Sequence, residues 1–196
     1  MLAPHPDYNL FKSKLQRLLG DAISFKGVLY RACEPMYANT RDLLTGEGSR
    51  KTGGRWNPPR AFAITYLAQS LEGAVAESLG VTAHFGFDPS SRLPLTLVAL
   101  DASLHGILDF SNAKTRKAIG VSVTAMLDCD WRRENHRGAE ALTQALGRAA
   151  FDLGVEAIIV PSAVKRTLAN VNVFWANLRT SSILKIRSAE KLPPPP

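Results

Sequence analysis

The sequence predicts a single α+β domain in which helices flank a central mixed sheet. The chain has 196 residues, of which 45% are hydrophobic, so it can bury one sizeable core but is short for two. Its mean hydropathy of −0.05 excludes a wholly disordered chain. Strand-like and helical segments follow one another without the regular order of βαβ units, which favours α+β over α/β.

The predicted helices follow from apolar residues at helical spacing and from their end signals. Residues 8–22 have the pattern of an amphipathic helix, and we expect residues 1–26 to pack on the main domain, 27–187. Ser70 is a good N-cap for a helix over 71–79 that ends at Gly80. One or two short helices are expected within 109–126 and a longer one over 137–153. The proline-rich residues 188–196 are expected to form a tail.

The predicted strands are short and rich in β-branched and aromatic residues. In residues 61–68 the bulky side chains alternate, as on a strand, and the continuous apolar run 157–160 is typical of a buried strand. The full set of predicted strands is 27–32, 61–68, 95–100, 157–160, 171–178 and 183–186. Residues 34–57 lack periodicity and are predicted to form a long polar loop of functional importance.

The end of that loop has the composition of an anion-binding turn. The segment 53–59 reads Gly-Gly-Arg-Trp-Asn-Pro-Pro, in which glycines and prolines stiffen the backbone and leave N–H groups to face a ligand. Arg55 lies between these turn residues, so its guanidinium is expected to contact the anion. Arg31, near the end of the first predicted strand, either binds phosphate in the same way or covers the core with its aliphatic stem.

Three further side chains have both a structural and a functional interpretation. Tyr66 either packs in its strand or stacks on a planar ring. Glu77 lies off the apolar stripe of its helix, so it is either a solvent-facing carboxylate or a group that stabilises positive charge on a sugar. Ser162 follows an apolar strand and a proline and is either a turn former or a pocket residue, since it lacks the surroundings of a hydrolase nucleophile.

The charge and cysteine content limit the classes of partner. The net charge is +7 and the pI about 9.7, yet the basic residues are scattered, so an anionic small molecule or an acidic protein partner is favoured over direct nucleic-acid binding. A nucleic-acid-binding module remains an alternative. Two distant cysteines, no signal peptide and no membrane-spanning run indicate a cytoplasmic protein. The four histidines lack metal-ligand spacing, so no metal is expected.

Taken together, several short motifs resemble the RES-domain family, named for an arginine, a glutamate and a serine in this order. The resemblance runs from about residue 28 to residue 174. The motifs are Tyr30-Arg31, Gly54-Arg55-Trp56-Asn57-Pro58-Pro59, Thr65-Tyr66-Leu67-Ala68, Ala76-Glu77, Thr143-Gln144-Ala145-Leu146 and Val160-Pro161-Ser162. The resemblance implies a fold similar to ADP-ribosyltransferases and a toxin of a toxin–antitoxin pair that acts on NAD+. Its partner would be a cognate antitoxin.

The resemblance also implies a role for each candidate residue. Arg31 and Arg55 would hold the pyrophosphate of NAD+, and Arg31, Tyr66 and Glu77 would form the catalytic set. Ser162 would line the same pocket, and Asn170 is the nearest match to a family asparagine. NAD+ would be a substrate, consumed by hydrolysis or phosphorolysis of the nicotinamide–ribose bond. The alternative is transfer of ADP-ribose to a host-cell protein.

Overall fold

The computed structural model of the chain describes residues 2–84, 86, 88–189 and 192. Most of the predicted tail, 188–196, therefore lies outside the described residues. The strands are β1 (Ile23–Cys33), β2 (Thr65–Ala68), β3 (Thr96–Asp109), β4 (Ala157–Pro161), β5 (Ala169–Val173) and β6 (Ile183–Ile186). The helices are α1 (Tyr8–Arg17), α2 (Thr40–Thr45), α3 (Glu47–Thr52), α4 (Leu71–His84), α5 (Ala113–Ile119), α6 (Val123–Leu127), α7 (Trp131–His136) and α8 (Leu142–Asp152).

The six strands form one mixed sheet that closes on itself like a barrel. Their order is β1-β2-β5-β4-β3-β6, and β1 also pairs with β3, which completes the ring. Strands β3 and β4 run parallel, whereas the other pairs are antiparallel. The predicted α+β class and mixed sheet are thus confirmed.

The closed sheet separates two apolar cores. The interior core consists of inward-facing strand residues, such as Leu29, Leu100 and Val171, together with Leu43 of α2. The outer core lies between the sheet and helices α1 and α8, and it contains Trp56, Phe110 and Phe174. Because side chains alternate along a strand, each strand contributes to the interior with one set of residues and faces helices or solvent with the other.

Residues 34–57 form short helices rather than the predicted loop. The side chain of Asn39 accepts a hydrogen bond from the N–H of Asp42 (3.0 Å) and caps α2. Gly46 ends α2 in the left-handed conformation (φ 67°) and α3 starts at the next residue. These helices are too short for periodicity to reveal them, since their stability comes from caps and tertiary contacts.

Other element boundaries also differ from the prediction. Strand β1 begins at Ile23, so residues 23–26 pair with β3 rather than belonging to the N-terminal helical segment. Strand β2 covers the second half of 61–68, and β3 extends to Asp109. The helix predicted over 137–153 starts at Leu142, and β5 ends at Val173. Each helix in the part of the chain that the structure describes is too short or too polar to cross a membrane.

Candidate active site

A cavity of about 740 Å³ opens between β1, β2, β5, helix α4 and the loop that ends α3. Five of the six predicted site residues line this cavity: Arg31, Arg55, Tyr66, Glu77 and Asn170. Ser162, the sixth, is buried behind it and contacts Glu77. Residues that are far apart in the sequence therefore meet at one site, which we call the pocket.

Helix α4 presents Glu77 to the pocket because the face that it packs against the sheet consists of small residues. Gly73 and Ala74 are buried, whereas Leu71, which belongs to the apolar stripe of this helix, is 46% exposed. Glu77 follows these small residues by one helical turn and so lies on the same side. The interpretation of Glu77 as a solvent-facing carboxylate is therefore wrong, because small residues rather than an apolar stripe mark the buried face.

Gly80 lies within α4 and does not end it, contrary to the prediction. A Cβ at this position would lie 2.6 Å from Val164 Cγ2, so glycine permits the close approach of α4 to the segment that follows β4. That segment carries Ser162. The glycine thus helps to bring the carboxylate of Glu77 and the hydroxyl of Ser162 together.

The Glu77 carboxylate is held through one of its two oxygens. Ser162 Oγ donates to Glu77 Oε1 at 2.6 Å, and Asn170 Nδ2 donates to the same atom at 2.7 Å. Ser162 Oγ itself accepts from the N–H groups of Val164 (3.2 Å) and Lys165 (3.0 Å). Among the described residues, Oε2 has no hydrogen-bond partner and no cation pairs with the carboxylate, so a negative charge of fixed orientation is available to a ligand.

Arg31 contributes a half-buried cation near the end of β1. Its Nη1 donates to the carbonyl oxygens of Leu43 (2.6 Å) and Asp42 (3.2 Å), which fixes the guanidinium beside α2. Burial lowers the pKa of Arg31, and the neighbouring Asp42 opposes this shift without forming an ion pair with the guanidinium. An anionic ligand would therefore be stabilised by a positive charge that the protein neutralises only in part.

Arg55 connects the pocket to the end of α6. Its Nη1 lies within hydrogen-bond distance of the carbonyl oxygens of Met126 (3.1 Å), Leu127 (3.3 Å) and Cys129 (2.9 Å). Positive charge at the C-terminal end of a helix is favourable because the last carbonyls are unpaired there. Arg55 thus has a structural role, because its Nη1 binds the carbonyl groups at the end of α6. It also lines the pocket.

In the loop that carries Arg55, three of the backbone N–H groups that its composition predicts to be free already have partners. The N–H of Gly53 donates to the carbonyl of Ser49, that of Gly54 to the carbonyl of Asn57, and that of Trp56 to the hydroxyl of Tyr66. These bonds fix the turn against α3 and against Tyr66. The guanidinium of Arg55 is the charged group that this loop brings to the pocket.

Helix α8 holds this loop in place. Gln144 Nε2 donates to the carbonyl oxygen of Gly54 at 2.9 Å. A Cβ at Gly147 would lie 1.9 Å from the carbonyl oxygen of Trp56, so glycine at this position lets the helix and the loop touch. Trp56 is buried beneath the loop and packs against Phe110, with ring centroids 5.8 Å apart.

Tyr66 is a wall of the pocket with a fully used hydroxyl group. The hydroxyl accepts from the N–H of Trp56 (3.0 Å) and donates to Asn57 Oδ1 (2.8 Å). Burial raises the pKa of Tyr66, so the phenol stays neutral across the physiological range. A Cβ at Gly54 would lie 2.4 Å from this hydroxyl. A ligand in the pocket would therefore contact the ring of Tyr66, because the hydroxyl is already hydrogen-bonded within the protein.

Several residues that line the pocket were not among the predicted site residues, and four of them carry polar or aromatic side chains of interest. Trp131 and Arg132 lie at its rim, with the guanidinium 4.3 Å from the centre of the indole ring. Tyr30 lies opposite Ala68 on the paired strand, and Asn172 follows Asn170 on the same face of β5. The two-residue period from Asn170 could have indicated Asn172, whereas no spacing in the sequence indicates the rim pair.

In the described part of the chain, no three His, Cys, Asp or Glu side chains are arranged to hold a metal ion. The residues that line the pocket include the fixed carboxylate of Glu77, the guanidinium groups of Arg31 and Arg55, and the aromatic ring of Tyr66. Cations and a planar aromatic wall suit a phosphorylated ligand with a ring, and a carboxylate suits a centre at which positive charge develops.

The model of the RES domain matches residues 28–193. The chain belongs to the RES domain family. Two relatives named NAD(+) phosphorylase MbcT are 32% identical to it over 129 residues. They come from Mycobacterium tuberculosis (strain ATCC 25618 / H37Rv) and Mycobacterium bovis (strain ATCC BAA-935 / AF2122/97). The matched region covers 63% of this chain and 62% of each relative.

The fold is also similar to that of a solved structure. The crystal structure of the M. tuberculosis MbcT–MbcA toxin–antitoxin complex contains a chain that matches with a TM-score of 0.69. The match covers 93% of this chain and 98% of that chain at 23% sequence identity. The likeness confirms the mixed, barrel-like architecture, since nearly the whole chain superposes.

Proposed function

We propose that this RES-domain protein is a toxin that cleaves the nicotinamide–ribose bond of NAD+ and transfers the ADP-ribosyl group to inorganic phosphate. The observation that carries the proposal is the Glu77 carboxylate, fixed by Ser162 and Asn170 and directed into a pocket that also contains two arginines. The relatives named NAD(+) phosphorylase support the choice of substrate and acceptor. The site of action would be the cytoplasm, and the fold would be of the ADP-ribosyltransferase type.

Binding of NAD+ would use the charged groups that line the pocket. Arg31 and Arg55 would hold the pyrophosphate, because the planar guanidinium group can donate two parallel hydrogen bonds to phosphate oxygens. The ring of Tyr66 would lie against the nicotinamide. The carboxylate of Glu77 would then face the ribose that carries the nicotinamide.

In the chemical step, the bond between the ribose C1 carbon and the pyridinium nitrogen breaks. Its electron pair goes to the nitrogen, so nicotinamide leaves as a neutral molecule and positive charge develops on the ribose. Glu77 Oε2 stabilises that charge, while the hydrogen bonds to Oε1 prevent the carboxylate from turning away. A phosphate oxygen then bonds to C1, and the products are nicotinamide and ADP-ribose-1″-phosphate.

The protein partner would be a cognate antitoxin. A structural neighbour was crystallised as a toxin–antitoxin complex, and the net charge of +7 suits an acidic partner surface. Transfer of ADP-ribose to a protein, the alternative predicted from the resemblance, uses the same bond cleavage. Phosphorolysis is preferred because the relatives' names specify phosphate as the acceptor.

The test is product analysis of the purified protein with NAD+ in the presence and absence of inorganic phosphate. We expect nicotinamide and ADP-ribose-1″-phosphate, identified by mass spectrometry, with a rate that rises with phosphate concentration. Free ADP-ribose at a rate independent of phosphate would establish hydrolysis instead. A mass increase on a protein in lysate would establish transfer, and unchanged NAD+ under every condition would contradict the proposal.

A further inference from the structure

Asn172 is a buried amide whose polar atoms have no partner among the described residues. Its side chain is 0% exposed, and neither Oδ1 nor Nδ2 forms a hydrogen bond there. Burial of an unsatisfied amide is costly, so native proteins rarely keep one without a function. In the described part of the chain, Asn170 Oδ1 is the other buried side-chain polar atom in this condition, and it belongs to the same strand face.

The position of Asn172 places it in the pocket rather than in the apolar interior. On β5, Val171 and Val173 point into the interior core, and the alternating residues Asn170 and Asn172 line the pocket. Asn170 already donates to Glu77. Asn172 is therefore the next residue along the same wall, one strand period from the residue that touches the carboxylate.

Asn172 is also the cross-strand neighbour of Tyr66. Their Cα atoms are paired in the antiparallel ladder of β2 and β5, and side chains at directly opposed positions lie on the same face, with Cβ atoms about 4.5–5.5 Å apart. The hydroxyl of Tyr66 is fully used by Trp56 and Asn57. Tyr66 thus offers a ring and Asn172 offers the polar groups beside it.

From this juxtaposition we infer that Asn172 recognises the carboxamide of nicotinamide, an inference that rests on the proposed function. A primary carboxamide has one carbonyl acceptor and an NH2 donor, and so does an asparagine side chain. The two groups pair through two hydrogen bonds, with Nδ2 donating to the carbonyl oxygen and the NH2 donating to Oδ1. A carboxylate in place of the carboxamide would lose one bond and place an anion against Oδ1.

The test compares NAD+ with nicotinic acid adenine dinucleotide in the wild-type protein and in Asn172→Leu. We expect the ratio of kcat/KM for the two dinucleotides to favour NAD+ in the wild type and to fall at least tenfold in the variant. The comparison of ratios cancels the different intrinsic reactivity of the two substrates. Ser162→Ala is the control, because it should slow both reactions and leave the ratio within about twofold.

Two measurements separate recognition from a structural role. Replacing an unsatisfied buried amide by an apolar residue of similar size should raise the Tm of Asn172→Leu, by about 2–4 °C. In the wild-type protein, which needs no variant to fold, nicotinamide should inhibit at concentrations at least tenfold lower than nicotinic acid. A lower Tm with an unchanged substrate ratio, or equal inhibition by the two pyridines, would overturn the inference.

These outcomes are distinct from failure of the proposed function. If the wild-type protein consumes NAD+ but does not discriminate between the dinucleotides, the role of Asn172 is wrong and the activity stands. If the wild-type protein consumes neither dinucleotide and binds neither pyridine, the proposed function fails, and the assignment of Asn172 fails with it.

Discussion

Glu77 and Glu156 each accept a hydrogen bond from a serine hydroxyl, and their surroundings differ in a way that separates chemistry from stability. Glu156 is fully buried and accepts from Ser182 Oγ (2.7 Å) and from the backbone N–H of His105 (3.1 Å), while its charge is paired with Arg179 (3.2 Å). Both of its oxygens are used. The Glu156 carboxylate has the features of a structural group.

Glu77 has the opposite arrangement around a similar serine contact. Ser162 and Asn170 hold Oε1, and no cation of the described residues neutralises the charge. The protein thus fixes the direction of this carboxylate but leaves one oxygen and the net charge available. A buried carboxylate near a serine is therefore not informative by itself. The number of oxygens that remain unused and the presence of a paired cation distinguish the two sites.

The largest effect expected from this difference is on the rate of the Glu77→Gln variant. The amide keeps an acceptor for Ser162 and Asn170 but loses the negative charge, so kcat should fall about 100- to 1,000-fold. The Tm should stay within about 2 °C of wild type. Nicotinamide release and thermal unfolding are the two measurements.

Glu72 provides a matched control for that variant. It lies on the same helix, is exposed, and pairs with Lys165 at the surface, where an ion pair contributes little. Glu72→Gln should leave both kcat and Tm unchanged. If Glu72→Gln lowered the rate as much as Glu77→Gln, the effect would come from helix α4 as a whole and not from the carboxylate in the pocket.

The second effect is on stability and concerns Glu156→Gln. The substitution removes the charge that pairs with Arg179 and weakens hydrogen bonds to a buried group, so the free energy of unfolding should decrease by about 1–3 kcal/mol. The rate per folded molecule should remain within about twofold of wild type. Urea unfolding gives the first quantity and nicotinamide release the second. A large loss of rate with normal stability would remove the distinction between the two glutamates.

The smallest effect is expected from the two serines. Ser162→Ala leaves Oε1 held by Asn170 alone, so the carboxylate becomes less well oriented and kcat should fall about tenfold. Ser182→Ala should leave kcat unchanged and cost about 1 kcal/mol of unfolding free energy. The two variants, assayed in parallel, sharpen the comparison because each removes the serine hydroxyl that donates to one of the two glutamates. Equal loss of rate in both would contradict it.

Much of the fold could be predicted from the sequence because its signals are local. The buried run of β4, the amphipathic α1 and the short β6 each follow from the period of their apolar residues. The short helices α2 and α3 could not be found in this way, since a side-chain cap at Asn39 and a left-handed Gly46 define them. Such features act over a few residues and have no periodicity.

The site shows the same division between local and distant causes. Arg55 was indicated by the turn residues around it, and the family resemblance pointed to Glu77 and Ser162. The orientation of Glu77 was not predictable, because α4 packs through Gly73 and Ala74 instead of a large apolar stripe. Nor could the sequence reveal that three of the loop N–H groups are already bonded or that Trp131 lines the pocket.

The most direct test of the central claim is a crystal structure of the Glu77→Gln variant with NAD+ bound. We expect the C1 carbon of the nicotinamide ribose to lie within about 3–4 Å of the residue 77 side chain, with the pyrophosphate against Arg31 and Arg55. The nicotinamide ring should lie on Tyr66. NAD+ bound with its pyrophosphate at residue 77, or bound outside this pocket, would contradict the account.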